Sequence, residues 1–356
     1  MRHVLSRPPG RRNRWYVRAE TRLAVVVVTM LLLAGGAAAT AQQRRDEPGP
    51  SGVAIAPQGL LPTPPSARTA DPPAATIDAS PKSSPHPSPT RSPLLLDLRP
   101  QQVGAGETIL IWTHAPGAFS VSLEFDGGVY SLLPEADAFW GVVGIPVDAA
   151  PGSGALTVTA RSSTGDLLDS STATYELVAV ERPVDHLTLT PEQASVLTPE
   201  AGAREIELRA QIFAEFDRGR RWTTYFRRPT SGVMTTEFGQ GRSYNGGPVG
   251  SFHTGVDFAT PAGTAVAAAA PGRVDWVGEM PIRGLSVIVD HGAGVKTGYH
   301  HLQSAAVAEG ERVDGGQHIG AVGESGLATG PHLHWELTVW GVNVNPVSWT
   351  LKDFTP

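Results

Sequence analysis

The chain of 356 residues contains no cysteine. That excludes disulfides and every thiolate metal site, so a metal would have to be held by His, Asp or Glu. The absence does not identify a compartment, since an exported protein can also lack cysteine. No His-Glu-x-x-His sequence occurs, so no glutamate is placed by that motif as a general base. Charge is modest, at 17% of residues, with 28 basic against 34 acidic. Glycine (40) and proline (31) are by contrast abundant, which predicts turn-rich β structure, an unfolded stretch, or both.

Residues 1–22 carry seven arginines, and the apolar run "LAVVVVTMLLLAGGAAATA" follows from Leu23 to Ala41. A basic lead, an apolar stretch and a small-x-small ending make a secretory signal peptide. The run also approaches the ~20 residues that span a bilayer, so a retained membrane anchor at 23–41 fits as well. Either way the remainder is expected to be exported across the cytoplasmic membrane, to a periplasmic, cell-wall or extracellular site. Residues 1–41 hold seven basic residues and one acidic, leaving 21 basic against 33 acidic beyond them, a net of −12. Such a balance argues against nucleic acid as a partner, because phosphate binding needs clustered Lys and Arg.

From Gln42 to Pro93 the composition is Pro, Ser, Ala and Thr, with thirteen prolines between Pro48 and Pro93. This predicts an extended linker. At ~3.1 Å per residue, ~50 residues reach on the order of 150 Å. Short apolar runs then recur between turn residues ("ETILIWT", "SVSLEF", "ALTVTARS", "TATYELV"), predicting an immunoglobulin-like β-sandwich over 94–180. It carries no cluster of ionisable residues, and its His114 reads as a surface or loop residue. Residues 181–221 form a connector in which Thr198-Pro199-Glu200 opens a helix, with Ile206, Ala210, Phe213 and Ala214 at helical spacing. Residues 222–356 predict a compact all-β domain of short strands and Gly-rich turns. The expected fold class is therefore all-β with a short connecting helix.

Seven of the eleven histidines lie beyond residue 250. In "GPHLHWEL", read as a strand, His332, His334 and Glu336 share one face and Leu333, Trp335 and Leu337 the other. In "FHTGVDF", His253 and Asp257 are four apart and also share a face. Together these make a three-ligand set with a histidine to spare. "GYHHLQ" supplies another spare, His300 or His301. Three ligands with an open fourth position are the catalytic form of a zinc site, and a spare imidazole beside it can take a proton or steady an oxyanion.

The stretches "FHTGVDFATPAGTAVAAAAPGRV", "VIVDHGAGVKTGYHHL", "GGQHIGAVGESGLATGPHLHWEL" and "VNPVSW" resemble the lysostaphin or LytM-type zinc endopeptidases, over about 229–349. The resemblance implies a compact β domain (the duplicated hybrid motif) with its site in a groove. It implies one Zn2+, bound by His253, Asp257 and His334. It implies catalytic histidines at His332 and His301, and places His300 at a variable, peripheral position. It also implies hydrolysis of peptidoglycan stem-peptide or cross-bridge peptides. Relatives that have lost ligands act as amidase activators, but no position of the motif is lost here. Which peptide bond is cut stays open.

Other candidates have ordinary roles beside functional ones. Tyr244 reads as a groove-wall tyrosine or a donor to the tetrahedral intermediate. Glu336 reads as a structural or solvent-facing carboxylate, or as a partner of a ligand histidine. His291 reads as a turn-stabilising residue and His318 as exposed. Since every proposed ligand follows residue 250, the chemistry is expected to need nothing from residues 94–221. A carbohydrate-binding protein led by the sandwich would need an aromatic cluster, which is missing there.

Overall fold

The computed structural model describes residues 93–356. The leader or anchor at 1–41 and nearly all of the Pro-rich linker lie outside the described residues. Among those described, no helix is long and apolar enough to cross a membrane.

Residues 95–178 form two sheets. Leu95–Arg99, Thr108–His114, Ala138–Gly144 and Leu133–Glu135 make the first. Gln102–Gly104, Leu167–Val178, Gly152–Arg161, Ser120–Phe125 and Gly128–Ser131 make the second. Both contribute to one core, including Leu98, Ile109, Ile111, Val121, Leu123, Val143, Leu156 and Val158. The period-2 pattern is clean in Ser120–Phe125, where Val121, Leu123 and Phe125 are buried. Ala138–Gly144 is different, being buried at every position. Its second face points away from this core, and Trp140 and Val142 join a cluster with Trp222, Phe226 and Trp349. Trp222 meets Trp140 and Trp349 edge-on, with ring centroids 6.1 and 5.7 Å apart. The segments 94–180 and 222–356 therefore share a hydrophobic cluster as well as a chain.

The connector is more structured than expected. Val184–Leu187 is a strand, paired in parallel with Gly241–Tyr244. A helix over Pro191–Val196 follows, unforeseen in the sequence reading, with a capping box between Thr190 and Gln193. The expected helix spans Pro199–Ile212, and the Thr198 side chain caps it by accepting from Ala201 N at 3.1 Å. Its buried face is mixed: Gly202, Glu205, Arg209 and Ile212 are buried on the helix, and Phe213 at its C-terminal cap.

The C-terminal part is built on an antiparallel sheet. Val233–Thr236, Val256–Ala259, His332–Val339, Val295–His300, Gly284–Gly292, Gly272–Met280 and Arg312–Val313 follow in that spatial order. Leu333, Trp335, Leu337 and Val339 point to the core. Pairing register sets Asp257 opposite His334 and His334 opposite His300, so one row across three strands carries three polar side chains. A short helix at Pro346–Leu351 places Trp349 in the shared cluster.

Candidate metal centre

His253, Asp257 and His334 are buried, and their ligand atoms converge. His253 Nε2 lies 3.1 Å from Asp257 Oδ1 and 2.9 Å from His334 Nδ1. His334 Nδ1 lies 2.7 Å from Asp257 Oδ1. Each ring's other nitrogen is engaged. His253 Nδ1–H donates to the Glu237 carbonyl at 3.0 Å, and His334 Nε2–H donates to Glu336 Oε1 at 3.1 Å. Those bonds fix both tautomers so that the remaining lone pairs point at one spot, the arrangement a metal-binding histidine needs. Burial pushes His253 down to about 4, against the pull of Asp257, so the ring is neutral. Burial would raise Asp257, but His253 and His334 hold it well below the usual carboxylate range. Burial would lower His334, but its bonds to Asp257 and Glu336 raise it, so a metal there displaces a proton. Two imidazoles and a carboxylate are a zinc donor set. Zinc bonds of about 2.0–2.2 Å hold tetrahedral ligands ~3.4 Å apart, so the set needs to open by less than about 1 Å. The residues fit the ion.

Gly255 lets this loop come close. A Cβ there would lie 2.4 Å from the Trp335 carbonyl oxygen and 3.0 Å from His334 Cε1.

His301 and His332 flank the donor set, with ring centroids 4.7 Å apart. His301 Nδ1–H donates to the Ser325 carbonyl at 2.7 Å, and His332 Nδ1–H to the Gly330 carbonyl at 2.8 Å. Both rings therefore keep a lone pair at Nε2, and that of His332 is 3.9 Å from Asp257 Oδ1. Burial, reinforced by His332 and His334, holds His301 well below the ordinary imidazole range. His301 also has φ 58°, uncommon for a residue with a side chain. The left-handed turn ends the Val295–His300 strand and breaks the alternation of faces. Consecutive His300 and His301 rings both reach His334, at 5.5 and 6.0 Å.

Two expectations need correction. His300 is not peripheral: it is fully buried, with Nδ1 2.8 Å from Ser286 Oγ and Nε2 3.5 Å from Glu336 Oε2. Glu336 is not solvent-facing. It is buried and accepts from Thr254 Oγ1 at 2.6 Å, Arg283 Nη2 at 2.6 Å and Arg209 Nη1 at 3.0 Å, besides His334. Burial would raise its pKa, but Arg209 and Arg283 hold it well below the usual range, so it is an anion.

Several neighbours of the site escaped the sequence reading. Arg242 Nη2 approaches Asp257 Oδ2 at 3.3 Å. Arg283 and Arg209 clamp Glu336, and Glu205 holds Arg283. None lies in a pattern of histidines and carboxylates, and Arg209 is 127 residues from its partner. Of the other histidines His318 is exposed as read, while His291 is a buried strand residue and His114 ends a strand. His291 is buried between the Pro271 carbonyl (2.8 Å) and Thr297 Oγ1 (2.7 Å), and His318 is exposed. His114 is half-buried, 3.7 Å from the Asp137 carboxylate. Tyr244 is half-buried at the end of its strand, in register with Leu187.

Residues 251–346 match the model of peptidase family M23. The chain is 48% identical over 96 residues to the DD-carboxypeptidase/endopeptidase Mpg of Neisseria meningitidis serogroup B, covering 27% of this chain and 22% of that protein. It is 44% identical over 93 residues to the peptidoglycan DD-endopeptidase ShyA of Vibrio cholerae, covering 26% and 22%. The matched stretch thus spans about a fifth of these curated relatives' own length. A solved Pseudomonas aeruginosa protein, described as a candidate M23 peptidase, is 26% identical with a TM-score of 0.51. That likeness covers 69% of this chain and 93% of the other, and so reaches well ahead of residue 251. Residues 251–346 are thus the part of the chain that matches peptidase family M23.

Proposed function

We propose that the protein is an exported zinc metalloendopeptidase that hydrolyses peptide bonds in peptidoglycan. His253, Asp257 and His334 hold the ion, and His301 and His332 carry the proton transfers. The convergence of three oriented donor atoms beside two paired histidine rings is the observation that carries this reading. A zinc ion held there supplies Lewis acidity, which polarises a carbonyl oxygen and makes water acidic near neutral pH. His301, neutral and tied through Nδ1–H to the Ser325 carbonyl, accepts the proton of the attacking water at Nε2. His301 then returns that proton to the leaving amine, and His332, whose ring is next to it, steadies the developing oxyanion through Nε2–H when that nitrogen carries a proton.

The names of the relatives Mpg and ShyA support a DD-peptide bond in cross-linked stem peptides as substrate. Export rests on the basic and apolar order of residues 1–41, with cleavage or anchoring at 23–41 both compatible. Residues 94–180 are read as an immunoglobulin-like sandwich that covers one side of the catalytic domain, supported by two sheets on a common core.

The test is digestion of purified, cross-linked peptidoglycan with the described chain, with and without chelator. Mass spectrometry of the products should show new amino and carboxyl termini within stem peptides, lost on chelation and restored by zinc. Intact cross-links after digestion with the zinc-loaded protein refute the reading.

A further inference from the structure

The clamp on Glu336 reaches the metal centre from outside the M23 domain. Arg209 lies on the Pro199–Ile212 helix, well ahead of residue 251, and only 2% of its surface is exposed. One arm of its guanidinium, Nη1, donates to Glu336 Oε2 at 3.0 Å. The other, Nη2, lies 3.4 Å from Asn343 Oδ1. Each contact stands one step from a metal ligand. Glu336 Oε1 accepts from His334 Nε2. Asn343 Nδ2 donates to the carbonyl of Thr254 at 3.1 Å, the residue after His253, and the Thr254 hydroxyl returns to Glu336. One turn earlier, Glu205 accepts from the backbone of Ile282 (2.5 Å) and Arg283 (3.1 Å) and pairs with the Arg283 side chain. Arg283 in turn donates to Glu336 through Nε at 2.9 Å and Nη2 at 2.6 Å.

We infer that Arg209 is a positioning residue for the metal centre, holding Glu336 and Asn343 so that His334 and His253 present their lone pairs together. A carboxylate buried as deeply as Glu336 needs partners for both oxygens, and Oε1 alone serves His334, Thr254 and Arg283. Oε2 depends on Arg209, with His300 Nε2 beyond good hydrogen-bonding distance at 3.5 Å. A planar fork spans two acceptors at once, which a lysine ammonium does not. An apolar spacer helix would have no reason to bury Glu205 and Arg209, four residues apart on one face. The carboxylates and arginines they meet across the interface supply that reason.

The inference rests on the proposed zinc site, and its test separates the two. Zinc dissociation constants are measured by competition with a chromogenic chelator at fixed pH, on the described chain and variants. If the parent binds no zinc, the proposed function fails first. Given a parent that binds, Arg209→Met is expected to bind 10–100-fold more weakly, the usual effect of losing such an outer partner. Arg209→Lys should fall in between. Glu336→Gln should weaken binding too, and adding Arg209→Met to it should cost less than Arg209→Met alone, because part of Arg209's effect passes through Glu336. Ile212→Ala, which loosens the same helix against Met280 and Ile288, should lower Tm while leaving zinc affinity within about twofold. Zinc affinity of Arg209→Met within twofold of the parent overturns the inference. Equal losses from Arg209→Met with and without Glu336→Gln also overturn it. Failure of Arg209→Met and Arg209→Lys to fold in saturating zinc, by circular dichroism, assigns the arginine to the fold alone and overturns it as well.

Discussion

His332 and His334 stand two positions apart on one strand, yet their surroundings assign them different work. His334 Nδ1 faces Asp257 and His253 while its Nε2 is taken by Glu336. His332 spends its Nδ1 on a backbone carbonyl. His334→Ala should therefore abolish zinc binding and activity together. His332→Ala and His301→Ala should retain zinc while turnover falls ~10²–10⁴-fold, as when a proton-transfer group is lost. Zinc content and peptide hydrolysis measured on the same samples decide it, and a zinc-free His332→Ala would reverse the assignment. His318→Ala is the control, since that ring is exposed; His300→Ala is not, because His300 packs on Glu336. The convergence of His253, Asp257 and His334 was legible in the sequence because two short local spacings carry these residues and the family resemblance picks them from the other histidines. The surroundings of Glu336 were not, because its partners come from three separate segments.

His291 gives a second test at this scale. Burial pushes its pKa down to about 4. An unfolded histidine titrates near 6.5, so between those values the unfolded chain binds a proton that the native chain refuses. Stability from this group is present above about pH 6.5 and is lost as pH falls towards 4. Between pH 7 and pH 5 its share is about 2 kcal/mol. With metal removed by chelator from both proteins, His291→Gln should lose less stability than the parent over that interval, by about that amount. Urea unfolding at the two pH values measures it, and equal losses would remove His291 as a source of acid sensitivity.

At the scale of elements, the strands of the central sheet follow from alternation, and their register builds the polar row. The sheet also needs room beside it. Gly298 pairs with Glu336, and a Cβ there would lie 2.4 Å from His300 Nε2. Gly298→Ala should thus force His300 off Glu336 and cost about 1–3 kcal/mol, as overpacking does. A chemical-denaturation midpoint unchanged from the parent would refute the crowding. The connecting helix shows what the sequence conceals. Thr198, Pro199 and the apolar spacing announced its existence and start, while Ile206 and Ala210 suggested the buried stripe. Phe213 is buried and Ala210 packs beside it, but the buried face also holds Glu205 and Arg209, since burial of charge depends on the partner surface, and period alone does not reveal that.

At the scale of the molecule, the expectation that residues 94–221 are dispensable meets two separate dependencies. One is apolar: Leu110, Trp140 and Val142 cover Trp222, Phe226 and Trp349, and Trp349 Nε1 donates to Thr108 Oγ1 at 3.1 Å. The other is polar, the Glu205–Arg283–Glu336–Arg209 network under His334. Two truncations separate them. A chain starting at residue 181 keeps the network but strips the aromatic cluster of its cover. Fully burying one large apolar side chain is worth roughly 1.5–3 kcal/mol, so losing several such contacts should lower Tm substantially while zinc affinity stays near the parent's. A chain starting at residue 222 loses both, and should show the same drop in Tm together with weaker zinc binding. Calorimetry and chelator competition on the three chains give the comparison. Equal zinc affinity in the chains starting at 181 and 222 would show that the helix serves the fold and leaves the metal to the M23 domain alone. Equal Tm in the parent and the chain starting at 181 would show that the sandwich is attached without being needed for stability.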